Sequence, residues 1–225
     1  MLLTPLSVPA TPLTALPSFA AMLRAALGLT AWASLDAAIR TRFAAPKSSA
    51  GLRFAGNMQQ VYCSPVGWLI ATLLAPLALV PARCAQNVAF TFQIDPGANG
   101  CLLKTRSFRW AYGAPFIFRS QFACAPTLHE RFFGGLGMHL KLRARDGALE
   151  FLDDGYFLEV AGYRINLPRW ANPRFELVHR NLDEQRFQVL LKVSHACFGT
   201  LIYQRGEFSE DLGDTTATDA LNALH

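Results

Sequence analysis

The sequence predicts an α+β domain in which N-terminal helices pack on a long, curved antiparallel β-sheet, a meander that bends like half a barrel. Three observations carry this expectation. Apolar residues recur at helical spacing up to residue 44, and they alternate with a period of two in segments of about ten residues from Val88 to Phe208. No helix-length pattern separates those segments, which argues against a parallel α/β sheet. At 225 residues one domain can bury a sizeable core with neither disulfide nor metal.

Residues 1–16 are rich in Pro, Thr and Leu without periodicity and are expected to be an unstructured leader. The first basic residue is Arg24, so these residues lack the charged start of a signal peptide. From Ser18 the pattern turns helical and runs to Leu27, where Gly28 is placed to stop it. Thr30 is suited to cap a second helix in which Trp32, Leu35, Ile39 and Phe43 form a core-facing stripe. Residues 44–51, with Pro46, form a loop. A third helical candidate spans Val66 to Val80, inside a stretch without charge between Arg53 and Arg83. It is interrupted by Pro76 and falls short of the roughly 20 apolar residues that a membrane span needs. A buried helix or one lying at a membrane surface fits better.

Past Ala85 the period changes. Val88, Phe90, Phe92 and Ile94 alternate with smaller or polar residues, as in a strand with one buried face. Residues 95–100, Asp-Pro-Gly-Ala-Asn-Gly, have the chemistry of a turn. Strands are expected at 101–110, 115–122, 127–133, 136–143, 148–152, 156–160, 174–182, 187–193 and 200–208. Asp146-Gly147 and residues 181–185 supply hairpin turns, residues 166–173 an irregular crossing, and residues 134–137 a glycine-rich bend. The domain thus covers residues 17–208, and residues 209–225 form an acidic, mobile tail.

A twisted sheet of eight or nine strands curls, and its concave face has to be covered, here by the helices. Hydrophobic residues make up 52% of the chain and 17 of them are Phe. That excess suggests an interior able to hold a hydrophobic or amphipathic, lipid-like small molecule.

Other functions find less support. The net charge of +5 is scattered. Arg106, Phe108, Arg109 and Trp110 interleave charge with rings, yet no nucleic-acid module accompanies them. The five cysteines are widely spaced without a C-x-x-C pair, which suggests reduced thiols and a cytoplasmic setting with some membrane association open. No two histidines lie three to five residues apart, and there is no G-x-S-x-G elbow or phosphate-binding loop. The sequence therefore nominates no catalytic residue, metal or cofactor.

Phe54, Gly56, Met58 and Val61 form F-x-G-x-M-x-x-V. Arg106 and Phe108 follow, with Lys104 in place of a tryptophan, then Phe118 and Ser120, then Leu128, Glu130, Arg131, Phe132 and Gly134. Gly199, Leu201 and Tyr203 close the series, with Gly206 one residue late and Glu207 after it. In this order the motifs resemble the bacterial domain-of-unknown-function family 4166, from about residue 20 to 208. The resemblance places the first motif in the helical N-terminal part. It implies no activity, but an accessory role, since members look like C-terminal companions of nucleotide-binding oxidoreductase or membrane modules.

The motif positions supply the site candidates: Arg106, Ser120 and Glu130 in the sheet, and Tyr203 and Glu207 on the last strand. Arg106 and Glu130, if they point inward, need partners, either as a structural bridge or as a ligand clamp. Tyr203 and Glu207, four apart, share one strand face, where they either orient a polar head group or meet solvent. An enzyme or enzyme-accessory reading uses Arg106 and Glu130 as positioning or acid/base groups.

Overall fold

The computed structural model describes residues 18–44, 51–75, 80–97, 101–124, 127–161 and 163–210. The expected leader, the chain beyond residue 210 and the end of the third helical candidate lie outside them. Helix α1 (Phe19–Leu27) begins at Ser18, whose Oγ accepts from the Ala21 amide, and ends at Gly28 with φ +79°. The expected second helix is two: α2 (Leu29–Ala33) and α3 (Ala37–Ala44). The chain breaks between them because the Asp36 amide donates to the carbonyl of Gly147, 2.9 Å away in a hairpin of the sheet. Leu35, Ile39 and Phe43 of the predicted stripe are all buried.

The strands are β1 (Leu52–Cys63), β2 (Ala85–Pro96), β3 (Leu102–Arg109), β4 (Phe116–Ala123), β5 (His129–Phe132), β6 (Leu136–Arg145), β7 (Ala148–Val160), β8 (Tyr163–Asn166), β9 (Arg174–Asn181), β10 (Arg186–His195) and β11 (Gly199–Glu210). The hairpin turn at Asp146-Gly147 has both residues at positive φ, 50° and 76°, as a two-residue turn of this hand requires.

The expected α+β domain with an open half-barrel is corrected: the described chain is mostly β-strand, and the sheet closes on itself. Each strand pairs antiparallel with the next, β9 taking its place beside β7 while β8 forms a short outer flap, and β11 pairs with β1 from Phe54↔Glu210 to Cys63↔Ile202. The result is a barrel of ten strands, an even number, so that the first and last run antiparallel. Closure satisfies the two sheet edges that an open sheet leaves unpaired.

The sequence pattern hid this because β1 does not read as a strand. Its inward residues are Phe54, Gly56 and Met58, then Val61 and Cys63, and the register shifts between Met58 and Gln60. A bulge at that point turns a period of two into a step of three. The family motif expected among helices is therefore the closing strand of the barrel.

Inside, Phe54, Phe90, Phe108, Phe122, Phe151, Phe187 and Phe208 form one continuous core. Charged residues such as Glu176, Arg180, Lys192 and Arg205 occupy the alternate, outward register positions. Helices α1–α3 do not cover a concave sheet face but stopper one mouth. Phe19 meets Phe122 edge-on at 5.4 Å and Phe43 meets Phe54 at 6.3 Å. At the opposite strand ends lies α4 (Pro65–Leu73), capped by Ser64 and seated through Gly67 on the Leu201 carbonyl. Among the described residues no helix is long and apolar enough to cross a membrane. Trp68, Leu69 and Leu73 of α4 are more than half exposed.

Candidate functional site

The barrel interior is not packed solid. It holds a cavity of about 100 Å³, walled by rings including Phe54, Phe90, Phe92, Phe187 and Phe208, roofed by Phe19 and Phe43 from the helices, and bordered by Lys104, Arg106, Glu130, His179 and Gln204. A volume of that order admits a compact apolar molecule or a few waters; typical small-molecule pockets are several times larger.

The charged border comes from three neighbouring strands. Lys104 and Arg106 lie two apart on β3 and so face the same way, Ser120 lies opposite Lys104 on β4, and Glu130 follows on β5. Glu130 Oε2 accepts from Lys104 Nζ at 3.2 Å, and Oε1 accepts from Arg106 at 2.9 Å and from the Ser120 hydroxyl. Arg106 also donates to Ser120 Oγ at 3.1 Å. Rings complete the setting. The Lys104 ammonium sits 3.8 Å from the centre of Phe122, and the Arg106 guanidinium lies 4.8 Å from Phe118 and 5.3 Å from Phe92, contacts that attract a cation to the ring face.

Burial alone would raise the Glu130 carboxyl, but the Lys104 and Arg106 charges and the hydrogen bonds from Ser120 and Arg106 outweigh it and hold it down at about 2. Burial pushes the Lys104 ammonium down to about 8, against the pull of Glu130. At neutral pH Glu130 is therefore a carboxylate with both oxygens engaged, suited to anchoring the two cations and not to donating a proton.

Across the cavity, at the end of β9, burial first and the Arg42 charge second bring His179 down to about 3. Arg42 NH1 lies 3.2 Å from His179 Nε2. A guanidinium can only donate, so Nε2 accepts and the ring is neutral with its proton on Nδ1. Arg42 reaches Asn181 Oδ1 at 3.0 Å as well, tying α3 to β9 at the stoppered mouth.

Arg106, Ser120 and Glu130, singled out in the sequence, thus meet in one cluster. Tyr203 and Glu207 do not join it. On β11 the cavity is lined by Gln204 and Phe208, while Glu207 borders a separate shallow hollow with Asn57, Asn87 and Arg186. Sequence reasoning missed Lys104, His179 and Arg42. For Lys104 a signal was present: it shares strand parity with Arg106 and stands where the family's tryptophan is expected. For Arg42 and His179, 137 positions apart, there was none.

Comparison with known proteins agrees with the order of motifs. The chain is similar to the Uncharacterized protein YndH of Bacillus subtilis (strain 168), with 26% identity over 141 residues, covering 56% of this chain and 66% of that protein. Residues 35–208, from the last turn before α3 through nearly the whole barrel, match the family described as Domain of unknown function (DUF4166), and the chain belongs to that family.

Proposed function

We propose that this barrel is a non-catalytic binding module that holds one small amphipathic molecule, its apolar part against the rings of the cavity and its polar end at Lys104, Arg106 and Glu130. The observation that supports it is the pairing of an aromatic cavity with a charged cluster on one wall, the combination by which ligand sites join burial to orientation. A compact molecule suits the closed form. A long acyl chain, the lipid-like ligand suggested by the composition, requires the stopper to yield at Phe19 and Phe43, both of which line the cavity. Service to an oxidoreductase partner rests on the family resemblance and on no contact in this structure. The test is native mass spectrometry of the purified protein, followed by titration of delipidated protein with a fluorescent fatty acid and with small aromatic probes. A protein that copurifies with nothing and binds none of them ends the proposal.

A second reading has its own observation. Trp68, Leu69 and Leu73 present an apolar face on α4 within a stretch free of charge, on a chain of net charge +5. Tryptophan beside apolar residues favours the membrane interface, so this end of the barrel is proposed to rest on an anionic lipid surface. Cosedimentation with vesicles of acidic phospholipid, lost in Trp68→Ser/Leu73→Ser, supports it; a wild-type protein left in the supernatant removes it.

A further inference from the structure

Among the described residues lining the cavity, Lys104 and Arg106 are cations and Glu130 is the sole anion, while His179 is neutral. One positive charge is therefore left over. Arg42, at the edge of the same chamber, is a further cation, and the opposite charges it feels are Glu210 and Asp183, not Glu130. An uncompensated cation in an apolar interior is costly, and the flanking rings offset only part of that cost.

The geometry says which cation is free to act. Lys104 is closed in, with its side chain 6% exposed and its ammonium held between Glu130 and Phe122. Arg106 is more open, at 18%. Two of its five N–H groups go to Ser120 and Glu130, and among the described residues no acceptor takes the others. Phe92 on β2 and Phe118 on β4, its partners in the ladder, bring their rings to 5.3 and 4.8 Å from the guanidinium, and the two bonds to Ser120 and Glu130 hold it at the cavity wall. A planar fork of donors beside an aromatic chamber is matched by a carboxylate or similar oxyanion attached to an apolar body.

We infer that the molecule held in the barrel is a monoanionic amphiphile, and that Arg106 receives its head group while Glu130 and Ser120 hold Arg106 in place. This inference rests on the binding reading above and names the charge of the ligand. A neutral molecule of the same shape fills the chamber but leaves the surplus charge unanswered, and a cation adds to it.

The experiment is calorimetric titration of the full chain at pH 7 with three compounds of one shape, benzoate, benzyl alcohol and benzylamine, and with formate as an anion lacking an apolar body. Benzoate is expected to bind at least about tenfold more tightly than the alcohol, with benzylamine and formate weaker than both. Arg106→Gln is expected to erase the preference for benzoate over the alcohol. Should that variant fail to fold, titration of the native protein carries the test: raising the pH through about 8, where Lys104 gives up its proton, must weaken benzoate and spare the alcohol. Alcohol binding as tightly as benzoate overturns the charge assignment and leaves the binding module standing. Formate binding as tightly as benzoate overturns the amphiphile in favour of a simple anion site. If none of the four binds, the assignment falls together with the binding reading.

Discussion

Arg106 and Glu130 stand 24 positions apart in the chain, and their charged ends lie 2.9 Å apart inside the barrel. Arg106 is on β3 and Glu130 on β5, so the bond spans the intervening strand, where Ser120 joins it. With Lys104 on the other carboxylate oxygen, one anion holds two cations within an aromatic wall. Removing a member costs according to which charge is left alone.

Glu130→Gln leaves buried Lys104 and half-buried Arg106 without their anion and is expected to destabilise the fold by about 3–5 kcal/mol. Lys104→Met should cost less, because Arg106 and Ser120 stay on Glu130. Urea denaturation of the two variants at pH 7 checks this ranking, and equal losses contradict it.

Acid should lower the stability of the fold over two distinguishable pH windows. The His179 ring has an ordinary value of 6.5 and one of about 3 in the fold. The unfolded chain therefore takes up a proton that the folded one refuses, and stability falls as pH drops from 6.5 toward 3. Glu130, ordinarily 4.5 and about 2 when folded, contributes stability that is whole above 4.5 and is lost on the way down to 2. Between pH 6.5 and 4.5 the loss attributable to this pair belongs to His179 alone. His179→Gln, which keeps an acceptor for Arg42, should flatten the stability curve in that window; an unchanged slope rules His179 out as its cause.

Gly56 lies in the seam that closes the barrel, paired with Phe208 on β11 and Phe90 on β2. A methyl group there would run into the Glu207 carbonyl and the Phe208 ring. Gly56→Ala is expected to cost about 1–3 kcal/mol by overpacking and to speed amide exchange first along β1 and β11. Exchange spread evenly around the barrel would contradict the seam as its weak line.

Val189 lines the cavity from β10. Val189→Phe should fill part of the chamber at no more than about 1–3 kcal/mol, and reduce binding of a small aromatic probe by about tenfold or more, read by titration alongside thermal unfolding. A folded variant that binds as before means the probe sits elsewhere.

Local chemistry was legible in the sequence. Ser18 and Gly28 bound a helix, Asp146-Gly147 makes the turn that its composition promises, and the ten-residue rhythm from Val88 onward marks successive antiparallel strands, because caps, turn dihedrals and strand parity are properties of neighbouring residues. Motif order within the strand region made Arg106, Ser120 and Glu130 candidates together. Tyr203 and Glu207 arose from the same reasoning, but parity says only that two residues share a face, not which face turns inward. What the tertiary structure alone decided was the ring. The bulge after Met58 disguised β1, and its pairing with β11 joins strands about 150 positions apart, a contact whose reward comes from removing two open edges at once. Closure then selected the inner face, carried Arg42 to His179, and placed two cations and one carboxylate in a chamber where water is too scarce to screen them.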